Sequence, residues 1–396
     1  MSAQASSPMN GFETRPAYWG GVFAMSLCVF ALIASEFMPV SLLTPIASEL
    51  QVSEGQAGQA IAISGAFAVL TSLLISSVAR HLDRKMLLLA LTGVMAVSGT
   101  IVAIAPSYVI LMIGRALIGV VIGGFWSMSA ATAMRLVPEH HVPRALAIFN
   151  GGNALATVVA PPLGAFLGSI IGWRGAFFCV VPVAVIVFFW QMISLPSMKA
   201  ERRPGSGNVF RLLKRPLVVL GMASVGLFFM GQFALFTYVR PFLEAVTRVD
   251  VSTLSLVLLG IGVAGVVGTS LISVFLKDGL FRALIVIPGS MAVIALTLIA
   301  FGNSLPITAS LLGIWGLIGT AAPVGWWTWL ARSLPEHAEA GGGLMVAVIQ
   351  LAITMGAVVG GVLFDFSGYR MTFMASAILL VMATFLAFLT SRSGPT

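Results

Sequence analysis

Arg135-Leu136-Val137-Pro138-Glu139-His140 returns as Arg332-Ser333-Leu334-Pro335-Glu336-His337, 197 residues further along. Each copy follows a long apolar window, at 108–134 and 306–331. A second echo, Gly172-Trp173-Arg174 and Gly368-Tyr369-Arg370, lies 196 residues apart and leads into the last apolar window of each half. An offset that stays nearly constant over half the chain reads as duplication of one structural unit. Working outward from these echoes, apolar windows fall at 19–46, 56–79, 86–105, 108–134, 143–170 and 174–195. Six more follow at 216–239, 254–276, 281–302, 306–331, 341–364 and 370–391. Each is about the 20 residues that a helix needs to cross a bilayer. The expected fold is an all-α membrane protein, with twelve transmembrane helices in two pseudo-symmetric six-helix halves.

Composition agrees. Of the 396 residues, 59% are hydrophobic and only 9% charged, with mean hydropathy +1.04. Soluble domains average about 25% charged residues, so a water-soluble globule is excluded. The expected organisation is a tail over 1–18, a first bundle over 19–195, a linker over 196–215, a second bundle over 216–391 and a tail over 392–396. The linker holds the longest polar stretch, Lys199-Ala200-Glu201-Arg202-Arg203-Pro204-Gly205-Ser206-Gly207. The first 18 residues lack a basic segment joined to a short apolar core, so no cleaved leader is expected. Cys28 and Cys179 both lie in apolar runs, where they read as packing residues and not as a disulfide.

The charge has a direction. Of the 21 lysines and arginines, sixteen fall on the side of the two termini when loops are assigned alternately. Arg174, Arg240, Arg248 and Arg370 fall on the other, and Arg115 stays within a span. Positive charge collects in cytoplasmic loops, so both termini are expected in the cytoplasm. The net charge of +8 then faces anionic lipid and not nucleic acid.

An ionisable residue within a span is costly and marks function by default. Glu36, in Ser35-Glu36-Phe37-Met38-Pro39, and Arg115, in the fourth span, are the two clear cases. A carboxyl held out of water can cross in its neutral form, which makes Glu36 the candidate proton carrier. Its structural alternative is a carboxylate paired with a neighbour, and that of Arg115 is a fixed charge bonded to backbone carbonyls. Asn150, Asn153, Gln232 and Gln350 offer amides within spans, and Gln350 lies 197 residues after Asn153. Phe125, Trp126, Trp326 and Trp327 flank glycines of the fourth and tenth spans, while Trp329 reads as an interfacial belt residue. Aromatic walls with a few amides suit a flat, neutral, hydrogen-bonding solute. Amides between helices are also ordinary membrane glue. Gly260-Ile261-Gly262-Val263-Ala264-Gly265 has a nucleotide-binding spacing but sits inside a span, so it reads as packing glycine, as do Gly164/Gly168 and Gly356/Gly360. His81, His140, His141 and His337 fall in loops without metal-ligand spacing. No metal, cofactor or enzymatic chemistry is expected.

Over its whole length the chain resembles the major facilitator superfamily. Arg80-His81-Leu82-Asp83-Arg84-Lys85 looks like its basic turn motif, with Ser76 at the usual glycine and Arg80 at the usual acid. Arg115 and Gly119 match the fourth-span motif of proton-coupled members, with Ile118 where glutamine is common. Ala156 to Gly164 looks like the fifth-span antiporter motif, both leading glycines being alanine. The stretches Glu36 to Pro45, Gly123 to Ser129, Gly231 to Pro241, Pro323 to Trp326 and Ala347 to Ala352 are similar to the drug:proton antiporter branch. Within that branch they most resemble bacterial purine ribonucleoside efflux pumps. Sugar exporters share much of the first and third stretches, so a sugar or multidrug antiporter stays open as the alternative. The resemblance implies a monomer in the bacterial inner membrane that exports nucleosides such as inosine and guanosine by alternating access, in exchange for protons. It adds Phe233 and Tyr238 to the candidate binding residues.

Overall fold

The computed structural model describes residues 17–78, 82–138, 141–198, 213–334 and 338–393. Most of the expected tails and linker, and the loop residues Arg80, His81, His140 and His337, lie outside the described residues.

The helices are α1 (Trp19–Leu50), α2 (Glu54–Val78), α3 (Arg84–Ala103), α4 (Tyr108–Leu136), α5 (Val142–Phe178) and α6 (Val180–Ser194). There follow α7 (Pro216–Phe236), the short α8 (Val239–Phe242), α9 (Val251–Phe301), α10 (Leu305–Ser333) and α11 (Ala338–Ser393). Among the described residues, ten helical segments are long and apolar enough to cross a membrane. Two of them, Arg144–Ser194 and Gly341–Ser393, run to 51 and 53 residues. At 1.5 Å per residue each is about twice the length one crossing requires. They break at Gly172 (φ 73°) and Gly368 (φ 74°), the two glycines of the repeated Gly-aromatic-Arg motif. Left-handed backbone is open to glycine at little steric cost, so the echo in the sequence is the turn between two crossings. The ten segments already count α9 as two, divided at Gly279, so with the breaks at Gly172 and Gly368 the crossings among the described residues number twelve, six in each half.

At three helix starts the duplication holds to the residue. Trp19 and Pro216, Glu54 and Val251, and Tyr108 and Leu305 begin corresponding helices 197 positions apart. Each half packs around an apolar core; the C-terminal core takes in Val40, Ile61, Ala62 and Ala165 from the first half, and the N-terminal core takes in Tyr238 from the second. Where the halves cross, repeat-related glycines admit the partner helix: a Cβ on Gly65 would lie 2.2 Å from Thr354 Oγ1, and one on Gly262 would lie 2.7 Å from Val158 Cα. Gly262 is thus packing glycine, as its place in a span requires. Gly356 and Gly360 likewise abut α7 carbonyls.

Two readings of the sequence are corrected. Cys28 is buried, but Cys179 is exposed and packs no core. Trp329 is 1% exposed and meets Trp326 edge to face, with ring centroids 5.9 Å apart. It belongs to the C-terminal core, not to a belt, because α7 presents Gly221 to its ring.

Candidate functional site: a buried carboxyl between the halves

The site begins with two prolines. A proline has no N–H, so the carbonyl four residues earlier in a helix loses its partner. In α1, Pro39 frees the carbonyl of Ser35 and Pro45 frees that of Ser41. A buried arginine from elsewhere takes each. Arg115 of α4 donates through Nη1 to Ser35 O at 2.6 Å, and Arg240 of α8 donates through Nη1 to Ser41 O.

Arg115 is 0% exposed. Its other donors reach Glu36 O at 3.1 Å, Ala60 O at 3.0 Å and Ser64 Oγ at 3.2 Å. It therefore ties α1, α2 and α4 together. These four hydrogen bonds end on backbone carbonyls and one hydroxyl, not on the Glu36 carboxylate. The structural alternative for Arg115 accordingly describes its geometry: it is the pin of the N-terminal bundle. Charge-assisted hydrogen bonds are the strong kind, and they are what makes a guanidinium tolerable at this depth.

Glu36, 4% exposed, lies in the same turn of α1, and the Gln350 side chain of α11, from the other half, comes near its carboxyl. The Gln350 Oε1 atom is buried without a partner, as is Gln232 Oε1 on α7. Beside the carboxyl, Phe37 stacks on Phe233 with centroids 5.8 Å apart and planes 25° from parallel. Thr354 of α11 donates to Ala62 O of α2 at 3.3 Å. Glu36, Gln350, Phe37 and Phe233 therefore meet where the two halves meet.

The remaining candidates divide. Asn153 and Trp126 are half-buried, whereas Asn150 is exposed and bonds its own helix at Leu146 O, 3.0 Å away. Phe125 and Trp326, each 1% exposed, belong to the cores of their own halves. The reading of Trp326 as a cavity wall is therefore not met. Tyr238, 0% exposed, donates to Ala357 O at 2.8 Å and stacks on Phe364 at 5.2 Å. It seals the end where α1 meets α2, called the distal end below, and does not join Glu36. Arg240, read as a loop charge, is 6% exposed and pairs with Glu244 at 2.8 Å. Ser35, Phe37, Ser64 and Arg240 escaped the sequence reading. The prolines four residues beyond Ser35 and Ser41 were the available signal.

Residues 25–352 match the family model of the Major Facilitator Superfamily. The chain belongs to that superfamily. It is 62% identical over 397 residues, 99% of each chain, to a protein of Pseudomonas aeruginosa named transcription regulatory protein OpdE. It is 45% identical to the purine ribonucleoside efflux pump NepI of Salmonella paratyphi C, over 88% of this chain and 87% of that one. Its identity to the Escherichia coli pump of the same name is 43% over 94% of each. A crystal structure of a bacterial homologue of the human lysosomal transporter Spinster, inward-facing and unoccupied, superposes with TM-score 0.77 at 15% identity, over 96% of this chain and 98% of that one. The protein is a multi-pass membrane transporter of small molecules, with the twelve-helix fold of its family.

Proposed function

We propose that this transporter exports purine ribonucleosides, inosine and guanosine among them, in exchange for protons across the bacterial inner membrane. The observation that carries the reading is the Glu36 carboxyl: it is buried between the halves, faces an amide, and leaves Arg115 bonded to carbonyls. A carboxyl not locked in a bidentate ion pair is free to bind and release a proton as the halves move. The unpartnered amide oxygens of Gln232 and Gln350 are acceptors for base N–H or ribose hydroxyl groups, and the Phe37–Phe233 pair offers apolar faces. With the termini cytoplasmic, as the arginine and lysine distribution favours, the distal end faces outward. The bonds described between the halves run from the middle to that end, so this state is closed to the outside. The names of the Salmonella and Escherichia relatives support nucleoside as the substrate class. The name of the Pseudomonas relative does not oppose it, since a carrier that removes a metabolite alters the expression of genes responding to that metabolite.

The test is uptake of labelled inosine into proteoliposomes under an imposed pH gradient. Gradient-driven accumulation that unlabelled guanosine suppresses, and inosine monophosphate and sugars do not, is the expected result. The site holds too few cations for a phosphate. Competition by the monophosphate equal to that by inosine, or accumulation that ignores the gradient, would overturn the reading.

A further inference from the structure

Two helix starts that the repeat makes equivalent are capped in different ways. α9 begins at Val251, and its own Asp250 accepts from Thr253 N–H at 3.2 Å. α2 begins 197 residues earlier, with Ser53 in place of that aspartate. Ser53 and Gln56 form a reciprocal box: the Gln56 N–H donates to Ser53 Oγ at 3.0 Å and the Ser53 N–H to Gln56 Oε1 at 2.9 Å. That leaves the Gly55 N–H and the Ser53 hydroxyl proton. Both go to Asp365, at the distal end of the eleventh span in the opposite half: Gly55 N to Oδ1 at 2.9 Å, and Ser53 Oγ to Oδ2. A carboxylate is favoured there, because the first amides of a helix carry partial positive charge.

The fit leaves no room. A Cβ on Gly55 would lie 2.3 Å from Asp365 Oδ2 and 2.5 Å from the Gly361 carbonyl. In the 196-residue register that the Gly172 and Gly368 turns set on this pair of helices, the position related to Asp365 is Ser169, whose hydroxyl donates back to Phe166 O of its own helix at 2.7 Å. The cap on α2 from the opposite half thus has no counterpart at the crossing of α5 and α9. In this family the halves rock against each other around the substrate site, so a bond from α11 to the start of α2 exists only while the distal end is closed. The Arg240 bond to Ser41 O crosses the same seam. We infer that Asp365 is a conformational latch: it completes the N-terminal cap of α2 in the distally closed state, and opening that end uncaps the helix. The inference rests on the movement of the halves and not on which solute is carried, so its failure leaves the nucleoside reading standing.

Spin labels on Ser48→Cys and Phe366→Cys, both exposed near the distal end, in a Cys28→Ala, Cys179→Ala background in nanodiscs, report the opening by pulsed dipolar spectroscopy. Asp365→Ala raises the ratio of long to short distances by about tenfold or more, as loss of two hydrogen bonds to a charged group demands. Asp365→Asn, which keeps an acceptor for Gly55, lies between wild type and Asp365→Ala. Gly55→Ala follows Asp365→Ala, and Ser53→Ala shifts the ratio the same way by less, giving a second route should Gly55→Ala not fold. Asp250→Ala, at the helix that caps itself, leaves the ratio unchanged. Unchanged distances in Asp365→Ala and Ser53→Ala, or an Asp250→Ala shift as large as that of Asp365→Ala, would overturn the latch.

Discussion

The two halves are built on one backbone plan and carry different chemistry. Glu36 of α1 stands where α7 has Phe233, Arg115 of α4 where α10 has Leu312, and Asp83 before α3 where the second half has Leu280. The three apolar counterparts are all buried in the C-terminal core. The comparison is a natural control. A six-helix unit of this design packs without a charge at any of these places, so the charges of the first half are not required by the fold. Arg115 persists against a cost of several kcal/mol for a buried ion, offset by acceptors that include the Ser35 carbonyl that Pro39 leaves open. The C-terminal core also holds Trp315, Trp326 and Trp329, each about 1% exposed.

Making the first half resemble the second at Arg115 should have the largest effect. Arg115→Leu strips four acceptors of their donor and is expected to lower stability by about 3–5 kcal/mol and abolish transport. A thermal melt in detergent that matches wild type would show that Arg115 is no pin. Trp326→Ala should destabilise by a similar amount, about 3–5 kcal/mol. Inosine affinity in the molecules that fold should hold, since Trp326 lies in the core.

Glu36→Gln is the sharper cut, because it keeps shape and removes only the ionisable group. The melting temperature should stay near wild type. Accumulation driven by a pH gradient should fall to background, while inosine exchange without a gradient continues. A Glu36→Gln carrier that still concentrates inosine when only a pH difference is supplied would refute the proton assignment. The difference between the halves would then need another cause.

Smaller effects are expected at the amides. Gln350→Ala and Gln232→Ala should each weaken inosine binding about 5- to 30-fold, the equivalent of about 1–2 kcal/mol for a lost hydrogen bond, without changing the melt. Isothermal titration reads the affinity of each variant against wild type, and unchanged affinity in both would move the substrate away from this seam.

Asp83 should matter least. Its carboxyl caps α3 through the Lys85 N–H at 2.8 Å, and accepts from the Met198 N–H at 2.9 Å and from the Ser197 hydroxyl, fastening the α2–α3 turn to the segment after α6. Partial burial alone would push this carboxyl up, but the bonds from Ser197, Met198 and Lys85 outweigh it and hold it below the usual carboxylate range. A group whose folded value is depressed stabilises the protein above its unfolded value and loses that contribution as the pH falls through the folded one. Asp83→Asn keeps a capping oxygen but removes the charge at the helix start, and should therefore cost up to about 1 kcal/mol at neutral pH. The difference from wild type should hold down to about pH 4 and shrink below it. A gap that widens on acidification would reverse the sign and remove the cap from the account.

Hydropathy windows, the 197-residue echo and the two Gly-aromatic-Arg turns made the twelve crossings and the two halves legible in the chain. The reason is physical: crossing length, left-handed glycine and helix starts are local properties, written in consecutive residues. Glu36 and Arg115 were legible as well, because a charge within an apolar window is conspicuous wherever the window ends up. Which groups surround each one was decided by packing. That Arg115 faces the carbonyl freed by Pro39, that Gln350 comes to rest near Glu36, that Trp326 turns into the core and Tyr238 into the seam between the halves, and that Asp365 completes a helix cap 310 residues away all depend on which helix faces lie together. Hydrophobic periodicity carries little of that in a chain where lipid and protein are alike apolar. Only the assembled bundle, with its glycine crossings and its two halves in contact, decides it.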